Sequence, residues 1–295
     1  MIRVLNIISD TNIGGAGRVV LNYLKYADRS RFETLVALPR GSLLKPLVEK
    51  AGVRAIEIDG IADRSYHRED VRALNRMLRQ IKPDLVHTHG CLSGRIAARQ
   101  CGIPAVYSRH SAFPVPPRLK YPPGRWVNKL VNERYAKRII AVSPATRDNL
   151  VEGGISPKKI TVVMNGVAPV TRTAPEVQAA LKHELDLPEG DMVFGILARL
   201  EDYKGHLYLV EAARLLKEKG RTGFTILVAG TGPFAGRLAR AVEEAGMKDV
   251  VRLLGFRSDV AQLLNILDVQ LNASYGTEAT SMALLEGMSL GLPTI

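Results

Sequence analysis

The chain of 295 residues has only two cysteines and one tryptophan, and it contains no long apolar run. Cys91 and Cys101 have neither a second cysteine pair nor a histidine cluster near them in sequence, so neither a disulfide framework nor a zinc site is indicated. An apolar stretch of the roughly 18 to 20 residues that cross a bilayer is also absent. The first ten residues have the length of a strand and no signal-peptide pattern. These features predict a soluble, cytoplasmic protein whose cysteines are small buried residues.

The net charge of +12 is concentrated in the first part of the chain. Residues 1–170 hold 28 Lys and Arg against 13 Asp and Glu, whereas residues 171–295 hold 13 against 16. Such a surplus can attract nucleic acid, an anionic membrane or a phosphate-bearing substrate. No zinc-finger or RNA-binding signature is present, so nucleic acid is not an expected partner. The densest basic stretches are 64–82 and 113–138, and we expect them to contact the inner face of an anionic membrane or to form a solvated surface.

Short apolar runs alternate with amphipathic segments along the whole chain, which is typical of βαβ units with parallel sheets. The first half has seven predicted strands, at 4–9, 34–38, 54–58, 85–88, 105–108, 138–142 and 160–164. The second half has four, at 192–198, 224–229, 250–254 and 269–272. Predicted helices lie at 19–26, 71–81, 127–136, 176–185, 206–219, 234–245, 260–266 and 278–289.

A Pro- and Thr-rich stretch at 168–175 separates the two series of elements, and the sign of the charge changes there. We therefore predict an α/β fold with two doubly wound, Rossmann-like domains, residues 1–170 and 171–295, that face a cleft. Ligands of such sheets bind at the carboxyl ends of the strands. Candidate functional residues are sought at those ends.

Two glycines, Gly14 and Gly15, follow the first predicted strand and precede a helix. Glycines in that position let backbone N–H groups approach a phosphate, and the helix dipole adds to the attraction. A plain tight turn is an equal alternative. The spacing is not Gly-x-Gly-x-x-Gly, and no ribose-binding acid follows at the expected distance, so a dinucleotide-dependent oxidoreductase is disfavoured.

Three histidines, His87, His89 and His110, lie at the ends of predicted strands in the first half. A neutral imidazole can donate a hydrogen bond to a sugar hydroxyl or accept one from it. A structural role is favoured for His87. For His110 a functional role is favoured, because Arg109 and Ser111 make its surroundings polar.

The second half carries stronger signals. Arg199 and Lys204 lie five residues apart in a loop between a predicted strand and a helix, where together they can neutralise a diphosphate leaving group. Gly230 and Gly232 lie in a turn after the next strand. Because glycines have no side chain, a ring or a ribose can approach this turn. Phe256 follows the third strand in a loop suited to lie against a base.

Glu278 and Glu286 stand eight residues apart in a segment of helical period. We expect Glu278 to begin the helix and Glu286 to project from the same side, because eight residues are a little over two turns. Such a pair can hold two hydroxyl-bearing parts of one ligand. Considered alone, two ordinary solvated glutamates are the more common explanation.

Taken in order, these motifs resemble those of the GT-B glycosyltransferases of family 4, the retaining, nucleotide-sugar-dependent group 1 enzymes. The resemblance covers the whole chain and is most specific at Glu-x7-Glu and the Arg/Lys loop. It implies that Arg199 and Lys204 hold the donor diphosphate, Glu286 the ribose and Glu278 the transferred sugar. It also implies that His110 contacts that sugar and that Gly14 and Gly15 lie beside the diphosphate and acceptor. Gly230, Gly232 and Phe256 are further candidates for contact with the donor nucleotide.

The resemblance further implies a UDP- or GDP-linked donor, a glycan or lipid-linked acceptor in cell-envelope polysaccharide synthesis, and front-face transfer with no metal or other cofactor. No Asp-x-Asp pair occurs in the chain. Two departures are Ala279, where the family commonly has Gly, and the end at Ile295, where family members continue. The second departure predicts a C-terminally truncated chain. A non-catalytic nucleotide-binding fragment and a GT-B sugar-nucleotide epimerase are the alternatives.

Overall fold

A computed structural model describes residues 1–275 and 278–295 of the protein. The chain forms two compact units, Met1–Gly166 and Val167–Ile295. Each unit contains one parallel sheet with helices in the connections between its strands. Among the residues described, no helix combines the length and apolar character that crossing a membrane requires.

The first unit has a seven-stranded sheet in the order β3-β2-β1-β4-β5-β6-β7, with every neighbouring pair parallel. Its strands are β1 Ile2–Ile8, β2 Phe32–Pro39, β3 Arg54–Ile58, β4 Leu85–His89, β5 Ala105–Arg109, β6 Arg138–Ala141 and β7 Ile160–Val162. The strand order reverses between β1 and β4, which is where a doubly wound sheet offers a ligand crevice at its carboxyl edge.

Seven helices connect these strands. They are α1 Gly15–Tyr26, α2 Lys45–Lys50, α3 Arg68–Ile81, α4 Leu92–Gln100, α5 Pro117–Lys120, α6 Gly124–Tyr135 and α7 Pro144–Glu152, and a 3-10 turn spans Pro157–Lys159. Two starts are capped by side chains: the Cys91 sulfur accepts from the Gly94 N–H at 3.4 Å, and the Ser143 hydroxyl accepts from the Thr146 N–H at 3.2 Å. Caps of this kind satisfy N–H groups that the first helical turn leaves open.

The core of the first unit lies on both faces of β1. Leu5 and Ile7 are fully buried in a cluster that includes residues of α3 and α4, and Ile8 packs with α1 and α2 on the other face. Removing such side chains from water stabilises the fold by about 1.5–3 kcal/mol each. Because β1 is packed on both faces, its carboxyl end has a fixed position, and candidate polar residues lie at that edge of the sheet.

The second unit has a four-stranded parallel sheet in the order β10-β9-β8-β11, and Thr294 adds a parallel bridge to Gln270. Its strands are β8 Met192–Leu197, β9 Phe224–Ala229, β10 Val251–Gly255 and β11 Val269–Gln270. Its helices are α8 Pro175–Glu184, α9 His206–Glu218, α10 Ala235–Glu244, α11 Val260–Asn265 and α12 Met282–Ser289, with a 3-10 turn at Asp202–Lys204.

All eleven predicted strands are found, and the α/β fold is confirmed. Cys91 is buried and Cys101 partly buried, and neither forms a disulfide. The prediction that a helix begins at Glu278 is wrong. The helix begins at Met282, because the Ser281 hydroxyl caps it by accepting from the Leu284 N–H at 3.3 Å.

Candidate active site

The loop that follows β8 contacts the loop that follows β11. Lys204 donates a hydrogen bond to the Glu278 carboxylate, and both side chains are less than a quarter exposed. The Ser274 hydroxyl also donates to Glu278, at 3.2 Å. The structure therefore unites a cation and a carboxylate that lie 74 residues apart in sequence.

Backbone packing holds these two loops together. Gly205 has a φ of +70°, and a Cβ at this position would lie 2.0 Å from the Ala273 carbonyl oxygen. The Tyr275 N–H donates to the Tyr203 carbonyl at 2.9 Å, and its hydroxyl donates to Asp202 at 2.8 Å. Only glycine can occupy position 205 without moving the neighbouring loop. Ser274 and Tyr275 are thus site residues that no sequence motif indicated.

Arg199 has a different environment from Lys204. Its side chain is 63% exposed, and its guanidinium donates to Glu201 at 2.5 Å. The structure thus gives the two cations different carboxylate partners. Behind this loop, His206 is buried, and burial is the main cause of its lowered pKa.

Because the helix starts at Met282, Glu278 belongs to the preceding loop and does not share a helix face with Glu286. The predicted same-side projection from one helix is therefore wrong. Glu286 lies in the second turn of α12, partly buried. Its position depends on Gln270 of β11, whose amide nitrogen donates to the Ala283 carbonyl at 2.9 Å. A Cβ on Gly287 would lie 1.9 Å from the Gln270 amide oxygen, so the helix approaches the strand end through a glycine.

The turn at Gly230 and Gly232 presses on the backbone after β8. A Cβ on Gly230 would lie 1.9 Å from the Ala198 carbonyl oxygen, and one on Gly232 would lie 2.2 Å from that of Leu200. Packing within the unit therefore suffices to explain both glycines, and their contact with a nucleotide stays a prediction. Phe256, after β10, is 73% exposed and so presents its ring to solvent.

In the first unit, histidines from β4 and the end of β5 form one cluster. His89 Nδ1 lies 2.9 Å from His110 Nε2, and His89 Nε2 lies 3.2 Å from Asn6 Oδ1 on β1. His87 Nε2 lies 2.7 Å from the Ser108 hydroxyl, and its ring centre is 4.3 Å from that of His89. His87 and His89 both lie within β4, and the pairing of β4 with β5 brings them close to Ser108 and His110.

Burial keeps this cluster uncharged at neutral pH. It lowers the pKa of His87 and of His110 to about 4 and that of His89 well below its ordinary value. Since Asn6 Oδ1 can only accept, His89 donates through Nε2 and accepts at Nδ1 from His110 Nε2. His110 Nδ1 is then an unprotonated acceptor, and it is buried with no partner within the described residues.

Gly14 and Gly15 differ from the glycines of the second unit. Gly14 has a negative φ and caps α1, and a Cβ there would be in ordinary contact with Asp10 at 3.6 Å. A Cβ on Gly15 would meet nothing within 4 Å. No acidic residue occupies the first turn of α1. Neither backbone strain nor packing demands glycine here, and the helix N-terminus is left with free space.

The known proteins most informative for this fold and these residues are glycosyltransferases. Residues 13–170 match the family model described as Glycosyltransferase Family 4, and residues 177–295 match the model described as Glycosyl transferases group 1. The chain therefore belongs to glycosyltransferase family 4, and it is a glycosyltransferase.

Two curated relatives differ in their acceptors. The UDP-Gal:alpha-D-GlcNAc-diphosphoundecaprenol alpha-1,3-galactosyltransferase of Escherichia coli is 28% identical over 96% of this chain and 76% of its own length. The 2-deoxystreptamine glucosyltransferase of Streptomyces kanamyceticus is 31% identical over 74% of this chain and 60% of its own length.

Solved structures confirm the GT-B fold. HepE of Anabaena, crystallised with UDP and glucose, superposes with a TM-score of 0.84 at 21% identity, covering all of this chain and 80% of its own. WaaG, a glycosyltransferase involved in lipopolysaccharide biosynthesis, superposes with a TM-score of 0.70 at 16% identity, covering 99% of this chain and 80% of its own.

Proposed function

We propose that the protein is a retaining glycosyltransferase that moves a sugar from a UDP- or GDP-linked donor to a lipid-linked glycan acceptor in cell-envelope polysaccharide synthesis. The observation that carries this proposal is the contact between Lys204 and Glu278. It sets a cation beside a carboxylate at the carboxyl edge of the second sheet, in a family that transfers sugars.

In this proposal the donor diphosphate replaces Glu278 as the ion-pair partner of Lys204. Lys204 and Arg199 then neutralise the charge that develops on the departing diphosphate. Glu278, still held by Ser274, accepts hydrogen bonds from hydroxyls of the transferred sugar. Glu286 holds the ribose, Gly230 and Gly232 line the nucleotide, and Phe256 lies against the base.

The first unit has proposed contacts of its own. The space at Gly14 and Gly15, at the N-terminus of α1, admits the diphosphate and the acceptor. His110, kept neutral by burial, contacts the transferred sugar through a hydrogen bond that involves no imidazolium charge. His89 and Asn6 hold its ring in place.

The proposed chemistry is front-face transfer without a metal ion. The acceptor oxygen bonds to the anomeric carbon as the bond between that carbon and the diphosphate oxygen breaks, on the same face. The acceptor proton passes to the departing diphosphate oxygen. The absence of an Asp-x-Asp pair supports a donor held by cations of the protein itself.

Two observations support a lipid-linked acceptor at the cytoplasmic face of the membrane. The E. coli relative is named for a diphosphoundecaprenol-linked acceptor and matches 96% of this chain. The surplus of 28 basic over 13 acidic residues in residues 1–170 favours a partner that carries phosphates. HepE was crystallised with UDP-glucose, which supports a UDP-linked donor.

A thermal-shift series with UDP-, GDP- and ADP-sugars tests the donor, because a ligand that binds the folded state raises its melting temperature by an amount that grows with affinity. Product analysis with the stabilising donor and a diphospholipid-linked sugar then tests the reaction. We expect the anomeric configuration of the donor to be kept and activity to persist in EDTA. Inversion of that configuration, release of an epimer, or donor binding with no turnover of any acceptor would refute the proposal.

A further inference from the structure

Helix α6 turns polar side chains toward the protein. Asn128 and Asn132, one turn apart, form its inner face: Asn128 donates to the Gly153 carbonyl at 2.7 Å, and Asn132 accepts from Arg95 at 3.0 Å. No residue of α6 is fully buried. A surface helix ordinarily packs an apolar stripe against its domain, whereas the inward hydrogen bonds of this helix come from two asparagines.

The most exposed apolar residues of α6 lie on its outer face. Trp126, Val127 and Leu130 are exposed by 66%, 57% and 64%, and they recur at the i, i+1 and i+4 positions that share one side of a helix. Tyr121, just before α6, is 70% exposed. Contiguous exposed apolar side chains of this kind mark an interaction surface.

A groove of about 800 Å³ lies beside α6, at the amino-terminal ends of β5 and β6, with Trp126 and Leu130 in its lining. Five cationic side chains also line it: Arg99, Lys129, Arg134, Lys137 and Lys159. The part of the chain that the structure describes offers no ion pair to any of the five. Glu133 is the acidic residue of the lining, and it already accepts from the Ser156 N–H at 2.8 Å.

We propose that the outer face of α6 and this cationic groove, together called the α6 surface, dock on an anionic lipid bilayer. Lipid phosphates occupy the groove, and Trp126, Val127 and Leu130 enter the boundary between headgroups and acyl chains. A helix with one apolar and one basic side lies in the plane of that boundary. The charge of the groove selects anionic over neutral lipid.

Docking in this way also orients the first unit. Helix α6 leaves the carboxyl edge of the sheet after β5 and returns to its amino edge before β6, so it runs roughly antiparallel to the strands. The strands then lie along the bilayer, and the edge that carries His110 opens beside the membrane surface. This consequence rests on the proposed lipid-linked acceptor, whereas the docking itself does not.

The single tryptophan of the chain makes the α6 surface directly observable, because all tryptophan fluorescence comes from Trp126. We expect the emission of the full chain to shift to shorter wavelength with vesicles of 30% phosphatidylglycerol in phosphatidylcholine. Pure phosphatidylcholine vesicles and inorganic phosphate at the same phosphate concentration should leave it unchanged. No donor or acceptor is present, so failure here would not bear on sugar transfer.

Variants separate the two parts of the surface. Replacing two outer residues (Val127→Ser with Leu130→Ser) or reversing two charges (Lys129→Glu with Arg134→Glu) should weaken vesicle affinity at least tenfold in co-sedimentation. Matched controls on the second unit are Leu215→Ser with Leu216→Ser, and Lys219→Glu with Arg221→Glu, which should bind like the parent chain.

The unmodified chain alone can refute the proposal. No emission shift with anionic vesicles, or an equal shift with neutral ones, would overturn it. A blue-shifted emission that depends on protein concentration without vesicles would instead identify a second copy of the chain as the occupant. Loss of vesicle binding at 0.5 M NaCl would support the role of the cationic groove.

Discussion

The two units hold their candidate site residues in opposite electrostatic and steric states. In the second unit, Lys204 and Glu278 form a partly buried ion pair, and the backbone of the neighbouring loop packs closely against Gly205. In the first unit, His110 belongs to an uncharged cluster, and the space beside Gly15 is empty. The candidate residues of the second unit are charged and paired, whereas those of the first unit are neutral and border open space.

Under the proposed function, this difference separates the roles of the two units. Groups that stabilise a developing charge act best when the fold has already fixed them, since no reorganisation is then needed during reaction. The loops of the second unit meet that condition through backbone contacts. In the proposed function the first unit admits the acceptor, which requires room, and the start of α1 leaves open space.

The largest expected effect comes from removing the ion pair between Lys204 and Glu278 in the second unit. Lys204→Met should lower kcat/KM for sugar transfer by about 100- to 1000-fold, the range for loss of one group that stabilises a developing anion. Glu278→Gln should also lower kcat/KM, although it keeps the shape of the side chain. Steady-state kinetics with the preferred donor measures both.

Lys217→Met is the matched control, because Lys217 also pairs with a carboxylate, Asp249, but on the exposed surface of the same unit. It should transfer sugar at the parent rate. A Lys204→Met enzyme within a few-fold of that rate would show that the ion pair is structural and would remove the contrast between the units.

The second prediction compares glycines. Gly205→Ala introduces a Cβ 2.0 Å from a carbonyl at positive φ and should lower the free energy of unfolding by about 3 kcal/mol. Gly15→Ala meets open space and should leave that free energy unchanged or raise it by up to about 1 kcal/mol, since alanine favours the helix. Urea denaturation measures both values.

Donor or acceptor affinity should respond in the opposite sense to stability at position 15. The Gly15→Ala methyl fills the space proposed for a ligand, so binding should weaken although the fold does not. Equal loss of stability in both glycine variants would mean that the first unit is as tightly packed at this point as the second.

The last prediction concerns pH. The pKa of His87 and of His110 is about 4 in the fold, against an ordinary value of 6.5, so between these values the unfolded chain binds more protons. Stability is therefore complete above pH 6.5 and falls as the pH drops toward 4. The slope is about 1.4 kcal/mol per pH unit for each histidine.

Urea midpoints at pH 7, 6 and 5 measure this slope. His87→Gln should flatten it, whereas His183→Gln, on an exposed residue of α8, should not. His206 titrates in the same direction in the second unit and is unchanged in both variants. If His87→Gln keeps the full slope, the neutral cluster does not set the pH response of the first unit.

The strands could be predicted from sequence because buried parallel strands appear as short apolar runs. Short helices were missed where the signal was local: α4 starts with a cysteine cap, and α2 has only six residues. The predicted start of α12 is too early because the apolar periodicity extends upstream of Ser281. The true start is set by a single hydroxyl, that of Ser281, which caps the helix.

The site was only partly predictable for a different reason. Sequence could indicate Lys204 and Glu278 separately, but their contact depends on how two loops 74 residues apart pack. The same holds for Asn6 and His89, whose roles arise from strand pairing between β1 and β4. Nor could sequence separate a glycine that packing requires, such as Gly232, from one that leaves open space, such as Gly15.

The contact between Gln270 and Gly287 has a consequence for how this family varies. Gln270 is 1% exposed, so its amide cannot swing away to admit a side chain at position 287. A chain that keeps glutamine at 270 must keep glycine at 287, and one that gains a larger residue at 287 must shorten the residue at 270. The two positions should therefore covary among homologous sequences. Their contact also sets the position of the helix that carries Glu286.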